Sequence, residues 1–94
     1  MFVNLKQEVN EMFEYRETWY KVSTDATELE KSCRFTTDDF MLALKNYEVA
    51  MHDFAHGHCC RAWDTLNLEI ARVDENGTRE ALVYARLYSD DFAE

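Results

Sequence analysis

The sequence predicts an α+β domain in which N-terminal helices pack on a small antiparallel sheet containing a C-terminal β-hairpin. Three observations support this fold class: an amphipathic pattern over residues 2–15, a second one over residues 37–56, and two apolar segments on either side of Asn76-Gly77. The chain of 94 residues is long enough for one core only, so we predict a single domain over residues 1–94.

The N-terminal part of the chain predicts two helices separated by a strand. Apolar side chains recur every three or four residues over residues 2–15, which predicts a helix there. This helix should end before Arg16, because a charge within the apolar stripe is costly to bury. Residues 16–22 are rich in β-forming side chains and predict a short strand. Several N-cap residues follow, and they predict a short helix over residues 25–33.

The clearest helix is predicted over residues 37–56. Thr37 can cap its N-terminus, while Asp38 and Asp39 favour the positive end of the helix dipole. Gly57 is suited to the position just after the helix. The apolar stripe of this helix consists of Phe40, Leu44, Tyr47, Met51 and Phe54.

Asn76 and Gly77 predict a hairpin turn. As the two central residues of a type I′ turn, they would place Glu75 opposite Thr78 and so determine the register of both strands. That register leaves one face apolar and the other mostly polar. The apolar face would pair Ile70 with Val83, Leu68 with Ala85, Leu66 with Leu87 and, at the tip, Asp74 with Arg79; the polar face would pair Asn67 with Arg86, Glu69 with Tyr84 and Val73 with Glu80.

A four-helix bundle is the alternative fold. In it Asn76-Gly77 would end a helix rather than close a hairpin. Residues 79–88 have no clean apolar face when wound as a helix, so the hairpin is the preferred interpretation. The heptad-like stripe of the alternative helix would consist of Cys59, Trp63, Leu66, Ile70 and Val73.

Charge is the strongest signal in the composition. Nineteen Asp and Glu oppose ten Lys and Arg, for a net charge of −9. This excess disfavours direct binding to nucleic acid or an anionic membrane, because phosphates are bound by Lys and Arg. Three cysteines form no disulfide framework, and neither a signal peptide nor an apolar segment of about 20 residues is present. We therefore expect a cytoplasmic protein with reduced thiols.

Rows of carboxylates predict a surface for a cationic partner. Glu8, Glu11 and Glu14 are three residues apart on the first predicted helix, where neighbouring side chains lie about 5–6 Å apart. Holding like charges together costs stability, although a solvated polar face is also what any amphipathic helix shows. The predicted partner-binding residues are Glu8, Glu11, Glu14, Glu17, Asp74, Glu75, Asp90 and Asp91.

Histidines and cysteines are concentrated in residues 52–60, but they predict neither a resident metal nor an enzyme. Their spacing matches no standard zinc pattern, and a histidine is favoured at a helix C-terminus in any case. A cysteine nucleophile would need an orienting group and an oxyanion site, and no phosphate-binding or serine-nucleophile motif is present. We predict no cofactor. The weak candidates for metal ligands are His52, His56, His58 and Cys59.

These observations favour a small non-enzymatic module that docks an acidic surface on a basic protein. In a sharper form of this hypothesis, the carboxylates mimic nucleic-acid phosphates and inhibit a nucleic-acid-binding protein such as a host nuclease or defence complex. Small acidic phage proteins act in this way, an analogy that rests on size and charge alone. The alternatives are a His/Cys metal-binding or redox-responsive regulator, and a structural subunit. The many large apolar residues are also compatible with a homodimer.

Overall fold

The computed structural model describes residues 11–22, 28–56 and 63–92. Within them, four strands form one antiparallel sheet and a helix packs on one of its faces. This arrangement confirms the predicted α+β class, and the four-helix bundle is wrong. The elements in chain order are β1 (Met12–Val22), β2 (Glu28–Thr37), α1 (Phe40–His56), β3 (Thr65–Val73), β4 (Arg79–Tyr88) and a 3-10 turn (Ser89–Asp91).

Strand β1 occupies a position where the sequence predicts a helix followed by a strand. The sheet order is β2-β1-β3-β4, and β1 pairs antiparallel with both of its neighbours. The predicted strand over residues 16–22 is confirmed as part of β1. The predicted helix over residues 2–15 is wrong from Met12 onward, and residues 1–10 lie outside the described residues.

The side chains of β1 alternate between the two faces of the sheet. Phe13, Tyr15 and Trp19 are buried on the face that contacts α1, whereas Arg16 points to the opposite face. A period of two residues is the period of a strand. Arg16 therefore disturbs no apolar stripe. The helical spacing rested on Phe2, Leu5, Val9, Met12 and Phe13, of which Met12 and Phe13 are described and lie in β1.

Strand β2 replaces the second predicted helix, whose described part is residues 28–33. Beside β1, its side chains gain specific partners. The Lys31 ammonium lies 5.3 Å from the centre of the Trp19 ring, and Phe35 stacks on Tyr15 at 5.1 Å. A helix of nine residues is marginal by itself in water, so pairing along β1 is the more stable arrangement.

Helix α1 confirms the helix predicted over residues 37–56, but its cap is different. The Asp39 carboxylate accepts hydrogen bonds from the backbone N–H groups of Met41 and Leu42 at 3.0 and 3.3 Å. Thr37 instead accepts the backbone N–H of Asp39 at 3.0 Å. Asp39 is thus the N-cap residue. No helix in the described part of the chain has the length and apolar character needed to span a bilayer.

The core lies between α1 and the sheet. Two of the buried helix residues, Ala43 and Ala50, are small, which allows the helix to approach the strands closely. Tyr47 and Phe54 belong to the predicted apolar stripe and are buried, whereas the other three members of the stripe are partly buried. The sheet contributes Phe13, Tyr15, Trp19, Leu66, Leu68, Ile70 and Leu87 to the core.

Strands β3 and β4 form the predicted hairpin with a different turn. The Gly77 N–H donates to the Asp74 carbonyl at 3.0 Å, and the Asp74 N–H donates to the Thr78 carbonyl at 3.1 Å. The loop therefore has three residues instead of the two of the predicted type I′ turn. Gly77 has a φ of 85°, which glycine adopts without a steric cost.

The register of the hairpin agrees with the prediction only in its outer part. The three-residue loop shifts the inner pairs by one position, so Val73 faces Arg79 instead of Glu80. A β-bulge at Leu82 then restores the predicted register. The predicted pairs Asp74–Arg79 and Val73–Glu80 are wrong, whereas Ile70–Val83, Glu69–Tyr84, Leu68–Ala85, Asn67–Arg86 and Leu66–Leu87 are confirmed.

Candidate functional site

Six carboxylates meet at one end of the sheet because of how the strands are paired. Strands β1 and β4 begin at this end, and β2 and β3 finish there. Neighbouring strands lie about 4.8 Å apart, so the four strand ends span roughly 15 Å. All six side chains are exposed. We call this set the acidic end, and it consists of Glu11, Asp38, Asp39, Asp74, Glu75 and Glu80.

Arg72 lies between two carboxylates of the acidic end. Its guanidinium donates to Glu11 at 3.0 Å and to Glu80 at 3.1 Å, and these hydrogen bonds raise the pKa of Arg72. The nearby Arg79 forms ion pairs with Glu14 and Glu69 on the other face of the sheet. Among the described residues, the ion pairs of the acidic end involve one basic side chain, Arg72, so its six carboxylates are neutralised only in part.

Two of the six carboxylates also hold the local backbone. Asp39 caps α1, and one oxygen of Asp74 accepts the backbone N–H groups of Asn76 and Thr78, both at 2.9 Å. Capping orients a carboxylate without neutralising its charge. Substitutions that test charge at the acidic end should therefore leave these two aspartates intact.

The residues predicted to bind a partner do not form one surface. At one end of the sheet are Glu11, Asp74 and Glu75. Asp90 and Asp91 follow β4 at the opposite end, about 27 Å away along the nine residues of β3. Glu8 lies outside the described residues.

The members of the acidic end are not neighbours in the sequence. The sequence places Asp38 and Asp39 at the start of the predicted helix and Glu80 on the polar face of the predicted hairpin. What joins them to Glu11 is the antiparallel pairing of β1 with β2 and β3. Local spacing along the chain contains no signal for this pairing.

Glu14 is an internal partner of arginines. It lies on the sheet face opposite α1, where its carboxylate accepts a hydrogen bond from the Arg79 guanidinium at 2.6 Å. Arg16 and Arg34 approach the same carboxylate at 3.2 and 3.5 Å. Partial desolvation raises the pKa of Glu14, but this hydrogen bond and the three positive charges together lower it below its ordinary value. The predicted helical row of Glu8, Glu11 and Glu14 does not form over the described residues.

Glu14 is expected to stabilise the fold in a pH-dependent way. Because its pKa is lowered on folding, the stabilisation is present above the ordinary pKa of 4.5 and is lost as pH falls through the folded-state value. Glu14→Gln should lower the free energy of unfolding by about 1–3 kcal/mol at neutral pH, and by less in acid. Urea unfolding at about pH 7 and pH 3.5 measures both differences.

Glu75→Gln, at the exposed hairpin tip, is the control and should change stability by less than about 0.5 kcal/mol at either pH. A Glu14→Gln effect that does not depend on pH would contradict this assignment.

Glu17 points to the opposite face from Glu14 and is part of the packing under α1. Its carboxylate accepts hydrogen bonds from the Tyr15 hydroxyl and the Trp19 indole N–H, both at 2.6 Å. The Asn46 carbonyl lies 3.2 Å from the same hydroxyl. Burial, followed by the hydrogen bond to Glu17, raises the pKa of Tyr15; burial likewise raises the pKa of Tyr47. Glu17 is thus the hydrogen-bond acceptor for two side chains of the core.

The sheet face opposite α1, which we call the open face, carries no comparable excess of acid. Tyr84 and Tyr88 lie there with 59% and 47% of their surface exposed, in agreement with the predicted polar face of the hairpin. Arg86 donates to Asn67 at 2.7 Å on the same face. The charged groups of the open face in the described residues are Glu14, Glu30 and Glu69 with Arg16, Arg34, Arg79 and Arg86.

Two of the candidate metal ligands lie side by side. His52 and His56 are exposed on the last turns of α1, and the centres of their rings are 4.6 Å apart. His58 and Cys59 lie outside the described residues. Within residues 11–22, 28–56 and 63–92, no three His, Cys, Asp or Glu side chains converge as a metal site.

Comparison with known proteins finds no matching family model, no matching curated protein and no matching solved structure.

Proposed function

We propose that this protein is a non-enzymatic binding module that docks its acidic end on a basic protein. The observation that carries the proposal is the convergence of six exposed carboxylates on one end of the sheet, where their ion pairs in the described residues involve Arg72 alone. Such a concentration of like charge opposes folding and favours a cationic partner.

The side chains around the acidic end are suited to an interface. Met41 and Leu42, in the first turn of α1, are 64% and 45% exposed, and Met12 at the start of β1 is 36% exposed. Exposed apolar groups next to a charged patch are typical of protein-binding surfaces. The charge would orient the partner, and the apolar groups would add contact area.

The sharper form of the proposal is that the acidic end imitates nucleic-acid phosphates. Six carboxylates over roughly 15 Å correspond to about one charge per 2.5 Å, and duplex DNA carries one per about 1.7 Å of its axis. A groove that binds a phosphate backbone would therefore meet a charge density of the same order. The partner class is a nucleic-acid-binding protein such as a nuclease or a defence complex.

The test begins with capture of partners on the tagged protein and elution with increasing salt. The Kd of a captured partner is then measured for wild type and for the triple variant Glu11→Gln/Asp38→Asn/Glu75→Gln, which spares both capping aspartates. Three lost charge pairs at about 0.5 kcal/mol each amount to about 1.5 kcal/mol, or roughly tenfold weaker binding. The salt dependence of binding should also become shallower.

The matched control removes three exposed carboxylates elsewhere, in Asp53→Asn/Asp90→Asn/Asp91→Asn. This variant has the same net charge as the test variant and should bind within about twofold of wild type. Equal losses in both variants would show that only net charge matters and would overturn the docking site. The phosphate mimic further requires that the protein displace a DNA or RNA oligonucleotide from its partner; binding without displacement would refute that part alone.

A further inference from the structure

We propose that His52 and His56 chelate a divalent late transition-metal ion such as Cu²⁺, Zn²⁺ or Ni²⁺. The two residues are four apart on α1, so they share one face of the helix. Both are exposed, and the centres of their rings lie 4.6 Å apart. No change in the backbone is needed to bring both imidazoles to one ion.

The ring separation suits two nitrogen ligands of one metal ion. Imidazole nitrogens bind Zn²⁺ at about 2.0–2.1 Å, so two of them on one ion lie about 3 Å apart. A nitrogen atom projects from the ring centre by about 1 Å, so rings with centres 4.6 Å apart reach this separation by small side-chain rotations. Two imidazoles leave further coordination positions open to water or to a donor from another molecule.

The surroundings favour a cation. The pair lies at the C-terminal end of α1, where the helix dipole is negative. The exposed carboxylates of Glu48 and Asp53 lie on the same part of the helix, and the chain carries a net charge of −9. His52 and His56 are about 20 and 25 Å along the helix from Asp39, so the pair is separate from the acidic end.

The test is calorimetric titration of the purified, chelator-stripped chain with CuCl₂, ZnCl₂ and MgCl₂, after alkylation of its thiols so that they neither reduce nor bind the metal. We expect one equivalent of Cu²⁺ to bind more tightly than Zn²⁺, and no binding of Mg²⁺, because imidazole prefers late transition metals. Loss of an outer-shell partner costs about 10–100-fold in metal affinity, so His52→Gln or His56→Gln should cost at least about tenfold. Thermal unfolding without metal should be unchanged in both variants, since both side chains are exposed.

Two further variants make the result decisive. His58→Gln removes the remaining histidine of the chain and should leave binding within about twofold of wild type. Glu48→His/His56→Gln moves the pair one turn toward the N-terminus and should restore the affinity that His56→Gln loses. If His58→Gln abolishes binding while His52→Gln does not, the ligands lie beyond α1 and the proposal is overturned. Absence of Cu²⁺ binding in wild type overturns it outright, without affecting the proposed docking function.

Discussion

Phe54→Ala is expected to lower the free energy of unfolding by about 3–5 kcal/mol, the largest effect of any single substitution considered. Phe54 is completely buried on α1. The centre of its ring lies 5.8 Å from the ring centres of both Trp19 and Phe92. Removing the ring leaves a cavity at the contact between helix and sheet. Stabilities of small domains are only about 5–15 kcal/mol, so this loss is a large fraction of the total.

The matched control is Val49→Ala on the same helix. Val49 is 51% exposed, so its truncation should change stability by less than about 0.5 kcal/mol. Urea unfolding followed by circular dichroism measures both variants. A loss below about 1 kcal/mol for Phe54→Ala would show that α1 does not pack on the sheet as described.

Glu17→Ala is expected to cost about 2–4 kcal/mol of stability, because two core donors lose their charged acceptor. The Trp19 indole N–H has its hydrogen bond in this structure to Glu17, and the Tyr15 hydroxyl makes its short bond there too. Glu17 is one of the residues that the sequence assigned to partner binding. The structure instead predicts that its removal weakens the fold.

Chemical unfolding and partner affinity together distinguish the two roles of Glu17. Glu30→Ala, which removes an exposed carboxylate from β2, is the control and should change stability by less than about 0.5 kcal/mol. Should Glu17→Ala remain as stable as wild type and yet bind the partner more weakly, Glu17 would be a contact residue after all.

The hairpin shows how a correct prediction can contain a wrong step. The pairing of Leu66 with Leu87 followed from a two-residue turn, yet the loop has three residues. The bulge at Leu82 compensates for the extra residue, so the outer register is as predicted. Alternation of apolar and polar side chains selects this register, because a slip by one position would turn the apolar face to solvent.

Local patterns predicted the two N-terminal strands only in part: residues 16–22 were expected to form a strand, whereas residues 12–15 and 28–33 were expected to be helical. Helical spacing and N-cap residues are local signals, and both indicated helices. Strand β1 is stabilised by β2 on one side and β3 on the other, and β3 begins more than 40 residues later in the chain. Pairing over such distances in sequence overrides local propensity.

The candidate docking site likewise depends on contacts between distant parts of the chain as well as on local sequence. Charge composition indicated a cationic partner, and the glutamates of β1 were the candidates. In the structure Glu14 is held by arginines and Glu17 by core donors, and both side chains are partly buried, whereas Glu11 is exposed. Glu11 alone of the β1 region joins the acidic end.

The sequence by itself determined the features that depend on neighbours along the chain: the helix over Phe40–His56, the hairpin with its polar and apolar faces, and the excess of negative charge. Only the tertiary structure decided that β1 begins at Met12, that Glu28–Thr37 is a strand, and which carboxylates face solvent together. The physical reason is that a side chain in a strand acquires its neighbours from other strands. The acidic end therefore exists only once β1, β2, β3 and β4 are aligned.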